Sequence, residues 1–185
     1  INLVIFFMKK NNYHKNYFKT FIRVLDNLEL NKLNLLMNKI KKIKKNKILI
    51  FGNGAGASIA SHFANDLTNV AKIKTISFDN TALITCFAND YGYENWVKKT
   101  IEYYADKKDL IIILSASGNS QNMINAAKFC KKKNIDFFSI TGFKKNNKLN
   151  KISASHIWIN SKSYNFVEAT QLLILLSLVD RLAIK

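Results

Sequence analysis

Five short apolar runs, each separated from the next by a stretch of helical periodicity, limit what this chain can fold into. KILIF (47–51), IKTIS (73–77), LIIIL (110–114), DFFSIT (136–141) and HIWIN (156–160) are rich in isoleucine and aromatics. Most lack the polar alternation of a sheet with one wet face, so both faces should be covered. Helical patterns occupy 55–69, 80–88, 93–105 and 120–133 between them, and 165–184 at the end. This order predicts an α/β fold, a three-layer sandwich around a five-stranded parallel sheet. Ahead of the first strand, Tyr17, Phe18, Phe21, Ile22 and Leu25, then Leu33, Leu36, Met37, Ile40 and Ile43, recur at helical spacing. They predict an N-terminal helical hairpin within 12–45, broken near Asn27 to Asn31. No repeat or linker divides residues 12–185, which are expected to form a single domain.

Composition narrows the function. The chain has 185 residues and a formal net charge of +17, but almost all its basic residues are lysine, with Arg23 and Arg181 the only arginines. Together with abundant Asn and Ile and no proline, this fits a compositional bias better than a nucleic-acid groove, so nucleic acid is not expected as a partner. Cys86 and Cys130 fall in helical patterns without a CxxC companion, which points to a reducing cytoplasm rather than a disulfide or zinc-ribbon scaffold. The opening INLVIFF run is about half of what a bilayer crossing needs. Residues 1–11 are therefore expected to be a tail outside the fold, with Met8 a candidate initiator and no membrane anchor.

Two loops that follow strands carry unusual chemistry. In open parallel sheets, ligands bind beyond the carboxyl ends of the strands, where the strand order reverses. After KILIF comes GNGAGAS, whose glycines at 52, 54 and 56 let backbone N–H groups approach an anion at a helix start. After LIIIL comes SASGNS, where Ser115, Ser117 and Ser120 surround Gly118 just before a helix. A turn and an N-cap explain any one of these hydroxyls; three at one helix N-terminus suit a phosphate without a basic side chain. A nicotinamide site is disfavoured, because the first loop is G-x-G-x-G rather than G-x-G-x-x-G and Asp79 only loosely occupies the ribose position.

The ordered set GNGAGASIASHFAND, TCFANDYGYE, LSASGNSQN, ITGF and SYNFVEATQ resembles the SIS (sugar isomerase) domain, and within it the phosphoheptose isomerase group. The resemblance runs from about residue 12 to the end of the chain. It implies a flavodoxin-like sheet, a phosphosugar substrate such as sedoheptulose 7-phosphate, and a homotetramer whose sites are completed by neighbouring subunits. It also implies aldose–ketose isomerisation, in which a proton moves between neighbouring carbons through an enediol.

Residue by residue, the resemblance gives Ser115, Ala116, Ser117 and Ser120 as the phosphate loop. Asn53, Gly54, Asp90 and Asn165 are given as further substrate contacts. The catalytic base falls on Asp66, one turn beyond His62. His62, Asp66 and Glu168 match ligands of a zinc ion, the one cofactor implied, and Glu168 also stands among the catalytic groups. The pattern departs in two places. Gly56 replaces a phosphate-contacting serine, and Leu176 stands where a histidine would be the acid and fourth metal ligand; Gln171 likewise occupies a position where histidine is frequent. Those departures leave an alternative, a non-catalytic module that binds phosphosugar or protein on the same scaffold.

Overall fold

The computed structural model describes residues 12–43 and 45–184; the expected tail lies outside them. Two helices, α1 (Tyr13–Asp26) and α2 (Leu30–Lys41), precede β1 (Ile48–Phe51). There follow α3 (Ala55–Asn69), β2 (Thr75–Ser77), α4 (Thr81–Tyr91), α5 (Trp96–Tyr104) and β3 (Leu110–Ser115). The chain continues through α6 (Gln121–Lys133), β4 (Asp136–Thr141), α7 (Lys148–Ile152), β5 (His156–Trp158) and α8 (Tyr164–Ala183).

The strands pair in parallel in the order β2-β1-β3-β4-β5. This is the flavodoxin-like order, and its reversal lies between β1 and β3. Successive side chains of a strand point to opposite faces, and here each face meets its own core. Ile48, Ile50, Leu110, Ile112 and Leu114 pack with α1, α2, α3 and α8 on one side. Leu49, Phe51, Ile111 and Ile113 pack with α5, α6 and α7 on the other. Every residue of β1 and β3 is buried, which is why these strands read as unbroken apolar runs.

Register is fixed at the strand starts. Asp109, whose side chain has no solvent exposure, accepts hydrogen bonds from the Lys47 and Asp106 backbone N–H groups at 2.9 and 2.8 Å and pairs with Lys47 Nζ at 2.8 Å. These bonds join the entrance of β1 to that of β3, so the loops leaving both strands emerge side by side at the opposite end.

Helix α8 buries one stripe, including Val167, Gln171, Ile174, Leu175 and Leu178, and leaves Leu173 exposed. It is therefore not wholly buried within the chain, although its middle is almost entirely apolar. Helix α4 is more extreme: none of its residues is buried, despite Leu83, Ile84 and Phe87. Among the described residues, no helix is long and apolar enough to cross a membrane.

The two cysteines differ in reactivity. Cys86 is exposed and Cys130 is buried, and burial pushes the Cys130 thiol up to about 12. A thiol reagent at pH 8 is therefore expected to modify Cys86 alone in the folded chain and both cysteines in denaturant, read by mass spectrometry. Rapid native modification of Cys130 would contradict this packing.

Candidate active site

The first loop forms because β1 must turn sharply into α3. Gly54 takes a φ of +55°, where other residues are strained. The turn is closed by bonds of 2.9 Å from Gly56 N–H to Asn53 O and from Ala57 N–H to Gly54 O. Gly52 is required for a different reason: a Cβ there would lie 2.2 Å from the carbonyl carbon and oxygen of Gly56.

The serine loop leaves β3 beside it. Gly118, with a φ of +65°, donates its N–H to Ser115 O at 3.1 Å, and Asn119 N–H donates to Ser117 Oγ at 3.2 Å. Ser120 occupies the N-cap of α6, yet its hydroxyl makes no cap hydrogen bond. The Ser115 hydroxyl is buried and has no partner. An orphaned buried hydroxyl is costly unless a ligand satisfies it. Capping and turn formation thus account for Ser117 alone among the three.

These loops and the first turns of α8 enclose a cavity of about 100 Å³, lined by Asn53, Gly56, Leu114, Ser115, Ala116, Ser117, Ser120, Tyr164, Glu168 and Gln171. Among the described residues its lining has one charged side chain, Glu168, and no lysine or arginine. A phosphate here would be held by hydroxyls and by the free N–H groups and dipole of α6. The carboxylate of Glu168 repels that phosphate and suits the carbon skeleton attached to it.

Three polar side chains that sequence patterns did not assign to the site support it. Asn122, 2% exposed, forms a reciprocal amide pair with Asn53, at 2.8 Å in one direction and 3.1 Å in the other. Tyr93 Oη also donates to Asn53 Oδ1, at 3.3 Å. Asn147 sits beneath Gly118, where a Cβ would come within 2.2 Å of its amide, and donates to Thr141 Oγ1 at 3.0 Å and Lys144 O at 2.9 Å. The available signals were a polar Asn122 in the first turn of α6 and an Asn147 that caps α7. Gln171, 1% exposed, donates through Nε2 to Ile140 O at 2.8 Å, leaving its amide oxygen for the cavity.

Several expected site residues lie elsewhere. Gly54, Asp90 and Asn165 are exposed and do not line the cavity; Asp90 Oδ2 instead faces Cys86 Sγ at 3.7 Å. His62 Nε2 and Asp66 Oδ2 pair at 3.1 Å on the outer face of α3, as their four-residue spacing dictates, and neither lines the cavity. Among the described residues, no three His, Cys, Asp or Glu side chains come together as a metal site. Catalytic zinc needs three protein ligands, so the donors of one chain do not fit that ion. Leu176 is half-buried and outside the cavity lining.

Gly56 leaves room at the cavity wall: its Cβ would meet Leu114 Cβ and O at 3.8 and 3.9 Å, ordinary contact distances. Gly56→Ser is therefore expected to fold normally and to tighten sugar-phosphate binding about tenfold, the worth of one hydrogen bond to a charged group. Calorimetry showing weaker binding would place the phosphate elsewhere.

Comparison with known proteins shows the family and the fold. Residues 15–142 match the SIS domain family. The phosphoheptose isomerase of Helicobacter pylori (strain P12) is 35% identical over 136 residues, covering 70% of this chain and 69% of that protein. Phosphoheptose isomerase 2 of Campylobacter jejuni is 32% identical over 147 residues, covering 71% and 72%. The solved phosphoheptose isomerase of Neisseria gonorrhoeae superposes with a TM-score of 0.83 at 21% identity, over 93% of this chain and 98% of that one, and shares its fold.

Proposed function

This chain belongs to the SIS domain family, and from that premise we propose that it is a phosphosugar isomerase acting on sedoheptulose 7-phosphate or a close analogue. The observation that carries the proposal is the buried, unpartnered Ser115 hydroxyl in a cavity that also gathers Ser117, Ser120 and Glu168. Ser115, Ser117, Ser120 and the N-terminus of α6 bind the phosphate. Asn53, held by Asn122 and Tyr93, contacts the sugar from the facing loop. Glu168 takes the proton from C1 of the ketose and returns it to C2, while the hydroxyl proton passes from O1 to O2, giving the aldose.

The assembly proposed with this activity is a homotetramer in the cytoplasm. Support comes from the apolar α4 with no buried residue and from Phe18, Ile22 and Leu30, which are 59%, 54% and 68% exposed. Subunit packing over such faces would give Asp66, Asp90 and Asn165 a cavity to serve in a neighbouring subunit. The two free cysteines fit a reducing compartment.

One observation favours a second reading, a phosphosugar-binding module without turnover: a leucine occupies position 176, where the resemblance implies an acid. The two are separated by titrating sedoheptulose 7-phosphate calorimetrically and assaying its conversion in the same preparation. The isomerase reading expects binding and aldose formation, with Ser117→Ala weakening binding about tenfold. Binding without conversion would establish the module, and absence of binding would defeat both readings.

A further inference from the structure

A second cavity, of about 460 Å³, lies between α5 and α6 on the other side of the sheet from α3 and α8. Its lining includes Lys98, Lys128, Lys132 and Lys133, with Phe129 as the one aromatic and Glu102 as the one carboxylate among the described residues. An adjoining cavity of about 270 Å³ shares Glu102, Phe129 and Lys133 and extends the groove. Glu102 is already engaged, paired with Lys99 at 2.8 Å. That hydrogen bond holds its carboxyl below the ordinary value against the opposing effect of burial, and the charges of Lys99, Lys98 and Lys133 add to it. None of the four groove lysines is within 4.0 Å of a carboxylate among the described residues.

Helix dipoles explain part of this arrangement. Lys132 and Lys133 lie in the last turn of α6, where cations are favoured. Lys98, however, lies in the first turn of α5, where a cation opposes the dipole, and Lys128 lies in the body of α6. Like charges gathered around a cavity repel one another, and a polyanion relieves that repulsion. The cavity has the size of a small-molecule site. A single nucleic-acid strand is recognised by a row of stacking aromatics, whereas this groove has Phe129 alone.

We propose that the groove between α5 and α6 binds a nucleoside polyphosphate, with the phosphates against Lys98, Lys128 and Lys132 and the base against Phe129. This site stands independently of the serine cavity.

The test titrates the full chain with ATP, inorganic tripolyphosphate and a single-stranded oligonucleotide at about 0.15 M salt. Saturable ATP binding at one site per chain is expected. The double variant Lys98→Glu, Lys128→Glu should lower ATP affinity at least tenfold with an unchanged circular-dichroism spectrum. Phe129→Ala should lower ATP affinity about tenfold and leave tripolyphosphate unaffected; Phe129→Leu, which keeps the apolar packing, should show the same selectivity. Ser117→Ala, which lies in the serine cavity and not in the groove, should leave ATP affinity unchanged. The proposal is overturned by absent ATP binding, by binding that survives charge reversal, by loss on Ser117→Ala, by equal effects of the Phe129 variants on ATP and tripolyphosphate, or by preference for the oligonucleotide.

Discussion

Glu168→Gln is expected to lower turnover of sedoheptulose 7-phosphate by about two to four orders of magnitude, the usual contribution of a positioned acid–base group. Its affinity for the sugar phosphate should be kept or modestly raised, since a carboxylate that repels the phosphate is neutralised. Glutamine keeps the size and hydrogen bonding of the side chain but cannot carry the proton. Because Glu168 is the charged group that lines the serine cavity among the described residues, the loss should appear in kcat rather than KM. Asp66→Asn provides the comparison, since Asp66 pairs with His62 outside that cavity. Full turnover in Glu168→Gln together with none in Asp66→Asn would transfer proton movement to Asp66, acting in a neighbouring subunit. Both variants should still bind inorganic phosphate, because neither belongs to the serine loop, and Glu168→Gln somewhat more tightly than the parent, because the carboxylate that repels the anion is gone.

Asp109→Ala should destabilise the fold by about 3–5 kcal/mol, the cost of breaking a buried ion pair and stranding its partners. In a chain of this size that corresponds to a fall in Tm of about 10 °C. The change leaves two backbone N–H groups and part of the Lys47 charge without their acceptor at the entrance of β1 and β3. Asp106→Ala removes the other carboxylate on Lys47, one that is 79% exposed, and should leave Tm nearly unchanged. Burial lowers the Lys47 pKa, but its bonds to Asp106 and Asp109 outweigh that and raise it above the ordinary lysine value of 10.5. A raised folded-state pKa stabilises below the unfolded value and loses its effect as pH climbs through the folded one. Thermal stability should therefore fall above about pH 10.5 in the parent and less steeply in Asp109→Ala. Equal stability of the Asp109 variant and the parent would contradict the buried network.

The elements most legible in the sequence are those whose burial is most uniform. Fully buried β1 and β3 appear as KILIF and LIIIL, and the glycine and serine loops follow them directly. Legibility fell where tertiary contacts decide. IKTIS yields only Thr75–Ser77 as strand. HIWIN pairs only over His156–Trp158, at the sheet edge. The pattern at 93–105 begins as helix at Trp96, because Gly92 takes a φ of +81° and ends α4. Helix α7 has five residues, too few for periodicity to register, and is announced by Asn147, whose side chain accepts from Asn150 N–H at 2.9 Å. At the site, the three serines were readable from a local motif and Glu168 from the family resemblance. Asn122 and Asn147 were not, because their partners, Asn53 and Thr141, lie on other elements. Asp66, Asp90 and Asn165 show the opposite limit: motif position singles them out, but the fold of one chain does not bring them to its own serine cavity.

The most direct test of the account is the fate of the transferred proton. Sedoheptulose 7-phosphate is incubated with the full chain in D2O, and the aldose product is followed by proton and deuterium NMR. Transfer through an enediol by a carboxylate that exchanges with solvent predicts deuterium at C2 of the aldose, with Glu168→Gln slowing the appearance of both product and label by about two to four orders of magnitude. No aldose from an assembled protein that binds the sugar phosphate, or aldose formed at full rate by Glu168→Gln, would contradict it.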